Sequence, residues 1–286
     1  ISEITIPPNV TKICNGAFYS CQNLTKISIP ENSKLQTIER SAFYYTGIKE
    51  ILIPDSLIKL EEGWFYGALN LKKIIISPTN NKFIFKDDKY LLGKTNSDQD
   101  EFDTLLFASR NIKEISIPPN ITKICEHAFY SCSNLTKVSI PKNSKLQTIE
   151  NYAFSQSGIN EIFIPPSVTK ICERAFSNCE NLTRVSIPAN FNLQTIEKSA
   201  FSRSGIYEIF IPPSVTKICE SAFSSCENLT KILIPENSKL QTIERDAFHN
   251  TGIKEIFIPP NVTKICEDTF SSCKNLTKIS IPENSN

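Results

Sequence analysis

The chain has no methionine, one tryptophan, two histidines and eight glycines in 286 residues. No Gly-rich phosphate loop is present among so few glycines. His127 and His249 sit in unrelated settings, neither set beside Ser or Cys at comparable positions, so no nucleophile–base pair stands out. No apolar run approaches the ~18 residues that span a bilayer. Charge of one sign is lacking too: 31 basic residues face 30 acidic ones, a net of +1. That balance gives the chain nothing to draw it to nucleic acid or to an anionic membrane. These absences call for no catalytic residue, cofactor or metal, and they turn attention from catalysis to binding.

What is present is repetition. Lys123-Ile124-Cys125 returns every 47 residues as Lys170-Ile171-Cys172, Lys217-Ile218-Cys219 and Lys264-Ile265-Cys266, and each block divides into units of 23 and 24 residues. A period in the low twenties predicts a solenoid, because one such coil cannot bury its apolar face alone. Each unit opens on apolar-x-x-apolar-x-apolar, as in Leu24-Thr25-Lys26-Ile27-Ser28-Ile29-Pro30. Alternating β-branched residues predict a short strand with one buried face, ended by a proline that lacks the N–H for a ladder. Ile171, Ala175 and Phe176 are spaced as inward residues of a short helical turn. The fold class expected is an α/β solenoid, a leucine-rich repeat horseshoe with a parallel sheet on its concave face, short helical turns on its convex face and one β-hairpin insertion. Residues 1–286 form one array of about 12 units. It has neither a leader nor polar capping repeats and starts and stops within the pattern, so the expectation is a fragment whose targeting and anchoring segments lie outside it.

The rhythm breaks at residues 77–110, richer in Asp, Asn and Lys, where Phe83–Phe85, Tyr90–Leu92 and Thr104–Phe107 read as strands of the hairpin. Its tip offers Asp98, Asp100, Glu101 and Asp103, but the spacing fits no EF-hand loop and lacks that loop's glycine. A solvated turn is the simpler reading.

The phrase Ile-Pro-Pro-x-Val-Thr-x-Ile-x-x-x-Ala-Phe-x-x-Cys-x-x-Leu-Thr-x-Ile-x-Ile-Pro resembles the BspA-like leucine-rich repeats of surface proteins from oral and gut bacteria and mucosal protists. Asn237–Glu244 and Ile258–Cys266 look most like the trichomonad branch, and the hairpin is similar to one found in this family. The family often has Gly where this chain has Cys125, Cys172, Cys219 and Cys266. The resemblance implies a cell-surface or extracellular adhesin or antigen that binds host, matrix or microbial surface proteins. It implies no catalytic residues and no membrane contact by this segment.

Ten cysteines fall as five pairs seven apart: Cys14/Cys21, Cys125/Cys132, Cys172/Cys179, Cys219/Cys226 and Cys266/Cys273. Across seven helical residues the Cα atoms stand about 10 Å apart, beyond the ~7 Å a disulfide tolerates. Buried free thiols are therefore expected. Eight Asn-x-Ser/Thr sequons, at Asn9, Asn23, Asn120, Asn134, Asn181, Asn228, Asn261 and Asn275, are glycosylation candidates. The same Asn and Thr also suit a turn entering a strand, so both readings stay open.

The strand face carries the clearest signal. Its third position alternates acid and base over all twelve strands: Glu3, Lys26, Glu50, Lys73, Glu114, Lys137, Glu161, Arg184, Glu208, Lys231, Glu255, Lys278. Opposite charges on adjacent strands attract, and a slip by one unit would set like charges together. The fifth position, on the same face, places Phe163, Phe210, Leu233 and Phe257 near one another, with Tyr207 beside them. Apolar groups clustered on an exposed face mark a contact site, unless they merely pack on the stems of Arg184 and Lys231. The function expected is protein–protein binding through this face. The alternative is a structural spacer or self-associating stalk that projects another domain.

Overall fold

The computed structural model describes residues 1–96, 98–188 and 190–282. Where apolar and polar residues alternate ahead of proline, the chain forms strands of three or four residues: Glu3–Thr5, Lys26–Ser28, Glu50–Ile53, Lys73–Ile76, Glu114–Ser116, Lys137–Ser139, Glu161–Phe163, Arg184–Ser186, Glu208–Phe210, Lys231–Leu233, Glu255–Phe257 and Lys278–Ser280. Strand alternation puts the middle residue inside and its neighbours outside; Ile209 is 1% exposed. Paired long strands run parallel in register, with Glu208 opposite Lys231 and Phe210 opposite Leu233. After the proline turn a second run of two-residue strands forms its own parallel ladder, as in Thr195–Ile196, Lys217–Ile218 and Thr242–Ile243. Ile171 belongs to such a strand, Lys170–Ile171, and not to a helix.

The expected helical turns are absent: among the described residues there is no helix. The hydrogen bonds give the reason. Ala175 and Ser177 donate their N–H groups three residues back, to the carbonyls of Cys172 and Arg174, whereas Arg174, Phe176 and Asn178 donate to Lys198, Ala200 and Ser202 of the next coil. Arg174 and Asn178 also hold φ of 54° and 57°, the left-handed region, which a right-handed helix cannot include. The outer wall is thus an arc of stacked turns whose alternate N–H groups tie coil to coil. The expectation of a horseshoe with short helical turns on its convex face is corrected to this extent: the convex wall is made of turns, not helices.

Inside the arc the Ala-Phe pairs from Ala128-Phe129 to Ala247-Phe248 point to the core. Phe129, Phe154, Phe176, Phe201, Phe223, Phe248 and Phe270 form one file of near-parallel rings with centroids 4.7–5.8 Å apart. The insertion interrupts this file. Its strands, Ile84–Lys86, Tyr90–Gly93 and Thr104–Ala108, form an antiparallel meander whose last member pairs parallel with Lys123–Ile124. Both faces of its central strand are buried. Tyr90 and Leu92 join the core that runs on to Ile258, while Leu91, with Phe107 of the next strand, joins the core that begins at Ile6. The meander is therefore a wall shared by two cores.

All ten cysteines are free. Because the segment between paired cysteines is not helical, the separation argued from a helix does not apply, and their environment explains them instead. Cys179, Cys226 and Cys273 donate S–H to the carbonyls of Phe154, Phe201 and Phe248 in the preceding coil, each at 3.0 Å. In the intervening coils the same slot holds a hydroxyl: Ser157 and Ser204 lie 3.5 and 3.4 Å from the sulfurs of Cys179 and Cys226. Burial pushes the Cys172 thiol up to about 12 and those of Cys179, Cys219 and Cys226 to about 11, so they stay protonated and inert. Titrating the unfolded, unreduced chain should return close to ten thiols. Alkylation of the native protein at mildly alkaline pH should begin at exposed Cys14 and spare Cys179 and Cys226. Prompt native labelling of those two would contradict the hydrogen-bonded arrangement.

Candidate functional site

The long strands place the expected apolar residues on one solvent-facing row. Phe163 stands opposite Ser186, Phe210 opposite Leu233, and Phe257 opposite Ser280. Phe163, Phe210 and Phe257 are half-buried, and Leu233 is 39% exposed. Ser186, small and set between two phenylalanine strands, opens a depression lined by Phe163, Arg184, Pro188, Glu208, Phe210 and Leu233. A second depression, lined by Lys231, Leu233, Glu255 and Phe257, adjoins it, and Leu233 belongs to both. The structure thus brings Phe163, Phe210, Leu233 and Phe257 together. Tyr207, 54% exposed, lines neither depression and stands one residue ahead of the strand Glu208–Phe210.

The charge row runs beside this patch. Lys26 and Glu3 lie 3.4 Å apart, Lys73 and Glu50 3.9 Å, and Lys231 and Glu208 3.9 Å. These side chains are about three-fifths exposed, so each pair contributes at most about 1 kcal/mol and serves register more than stability. Lys73 and Glu114, adjacent in the sequence pattern, are not on paired strands. Instead Asp87 and Lys89 of the insertion line a depression with Glu114 and Lys137.

At the hairpin tip, Asp103 accepts the backbone N–H of Thr95 at 2.8 Å. Among the described residues no group of three or more His, Cys, Asp or Glu side chains is placed to hold a metal. The sequons separate into two sets. Asn120 and Asn261 donate their side-chain amides to the carbonyls of Phe102 and Ser238, each at 2.7 Å, and Asn9 shares their slot. Asn23, Asn134, Asn181, Asn228 and Asn275 are exposed at the corner where the turn arc enters the long strand.

One cluster escaped the repeat-based reading. On the turn arc Tyr19 stacks on Tyr44 at 4.3 Å, Tyr44 meets Tyr66 at 4.7 Å, and Tyr66 stacks on His127 at 3.8 Å. Burial pushes Tyr44 up to about 12. Burial first, then the nearby Arg40 and Arg110 guanidiniums, lower His127 to about 3, which keeps its imidazole neutral. The sequence signal was a non-repeated one: Phe18-Tyr19, Phe43-Tyr44, Phe65-Tyr66 and Phe129-Tyr130 stand where later coils read Phe-Ser, apart from Phe248-His249. The cluster joins the coils before and after the insertion, where Tyr66 stacks on His127 and Arg40 pairs with Glu126.

Comparison with known proteins places this geometry. The model of the BspA-type leucine-rich repeat region matches residues 1–87, 100–218 and 194–286, in six copies. Solved structures of similar fold include a leucine-rich cell surface protein of Faecalibacterium prausnitzii, with 24% identity and a TM-score of 0.61 over 98% of this chain and 60% of that one. A leucine-rich repeat protein of Eubacterium ventriosum has 22% identity and a TM-score of 0.74, over 100% of this chain and 87% of that one. The pneumococcal vaccine antigen PcpA has 20% identity and a TM-score of 0.59, over 99% and 68%. At these identities the likeness is one of fold, and the chain spans 60% of the length of the Faecalibacterium protein. No curated protein matches the chain.

Proposed function

Because the chain belongs to the BspA-type leucine-rich repeat family, we propose that it is a non-enzymatic, protein-binding segment of a cell-surface protein, an adhesin or antigen. In this reading it holds host, matrix or other microbial surface proteins through the long-strand face. The observation that carries the reading is the row Phe163, Phe210, Leu233 and Phe257, apolar and partly solvent-exposed on parallel long strands beside a charged row. Aromatic anchors set in shallow pockets and rimmed by charge are what dominates the energy of protein contacts. The surface location is supported by the family and by the Faecalibacterium protein, described as a cell surface protein.

The test is binding of the chain to cells and matrix extracts by a Phe210→Ala, Phe257→Ala double variant. Loss of a central aromatic anchor costs about 2 kcal/mol or more in binding, roughly thirtyfold. Because these side chains lie on the outer face, circular dichroism and melting should stay close to wild type. Retained binding would move the contact to the hairpin or the turn arc. If neither the chain nor the variant binds any partner while the chain self-associates, the spacer reading takes its place.

A further inference from the structure

The corner sequons differ from the others in a way the motif alone does not show. Asn23, Asn134, Asn181, Asn228 and Asn275 occupy the same slot in every second coil of the 47-residue repeat, and each is exposed. None of their side-chain amides is hydrogen-bonded to a described residue, whereas that of Asn120 is held at 2.7 Å by a carbonyl of the insertion and that of Asn261 at 2.7 Å by a carbonyl of the preceding coil. The threonines two residues on are fixed by the fold: Thr136, Thr183 and Thr230 donate to the carbonyls of Lys113, Asn160 and Tyr207 at 3.1–3.3 Å. In the intervening coils the corner is a glycine, packed so closely on the backbone of the preceding coil that no side chain fits, and a polar notch lies beside it. One adjoins Gly158 beside Asn181, with Gln156 and Glu180 in its lining. Another adjoins Gly205 beside Asn228, lined by Arg203 and Glu227.

We infer that these five corner asparagines carry N-linked sugars and that Asn120 and Asn261 do not. The step joins the Asn Nδ2 to the anomeric carbon of a lipid-pyrophosphate-linked oligosaccharide: the carbon–oxygen bond to pyrophosphate breaks, the lipid pyrophosphate leaves, and the amide gives up one proton. At the corner the added sugar meets solvent and a polar notch. At Asn120 and Asn261 it would have to displace a bond that ties the coil to the insertion or to the preceding coil. The corner lies five residues ahead of the patch position in the same coil, as Asn228 does of Leu233, so the sugars would stand beside the binding row.

The inference rests on the export of the chain proposed above, but not on the phenylalanine patch. It is tested on protein isolated from the cells that make it, treated with peptide-N-glycosidase in heavy-oxygen water and read by peptide mass spectrometry. Conversion to labelled aspartate is expected at the corner asparagines and not at Asn120 or Asn261. Unmodified corner asparagines would overturn the inference, as would equal conversion at Asn120 and Asn261. In the same host Asn228→Gln should remove the mass of one sugar chain without shifting the melting temperature. Asn261→Ala should lower melting by a few degrees and leave the sugar mass unchanged. A failure here leaves the double-variant binding result standing, and a failure there leaves the sugar masses standing.

Discussion

Phe201→Ala should lower stability by about 3–5 kcal/mol, the range for removing a buried phenylalanine ring from a close-packed core. Phe201 is 1% exposed and stacks on Phe176 at 5.3 Å and on Phe223 at 5.5 Å, within 4° of parallel. Removing it deletes two ring contacts and opens a gap that neighbouring turns cannot close, because their backbone is tied to the coils on either side. Urea unfolding of Phe201→Ala beside Phe210→Ala, a phenylalanine of the outer row, is the comparison to make. Equal costs would mean that the file of rings is not the main support of the array.

Gly205→Ala should be nearly as damaging, at about 3 kcal/mol, the upper part of the range for forcing atoms into a filled space. A Cβ there would lie 2.1 Å from the carbonyl oxygen of Glu180 and 3.0 Å from its carbon. Both are backbone, so no side chain can swing aside, and the corner could open only by losing the bond from the Gly205 N–H to the Cys179 carbonyl. Gly16 provides the contrast. Its φ is +65° and the nearest atom to an added Cβ is 3.7 Å away. Gly16→Ala should therefore cost only the left-handed backbone penalty, about 1–2 kcal/mol. Thermal melting of the two variants separates steric closeness from backbone preference. A milder effect at Gly205 than at Gly16 would refute the argument.

The strands were legible because period-two alternation ending on proline has one physical meaning. The hairpin was legible because polar residues broke that alternation and apolar clusters resumed it, so Phe83–Phe85 fell within a residue of the strand Ile84–Lys86. The turn arc was not legible. Ile171, Ala175 and Phe176 face inward in a helix and equally in a short strand followed by stacked turns, and nothing in their types says whether an N–H bonds within its own coil or to the next. The left-handed positions carry no signature either, since Arg174, Asn178, Ser199, Arg203 and Asp246 all occupy them. The outer row of Phe163, Phe210, Leu233 and Phe257 followed from alternation. The notch at Ser186 did not, because it depends on which residue of one strand stands between which two of its neighbours. The tyrosine cluster lay outside any argument that reads only what recurs.

The pairing of unlike coils limits how such a chain can grow. Acid on one long strand faces base on the next, and a buried thiol in one coil meets a hydroxyl in the next. Copying a single coil of 23 or 24 residues would seat carboxylate against carboxylate and sulfur against sulfur at the joint. Copying the 47-residue pair restores both matches at each new boundary. A gene built this way can lengthen or shorten by recombination between its own repeats in even steps, and odd products begin life with a mismatched seam.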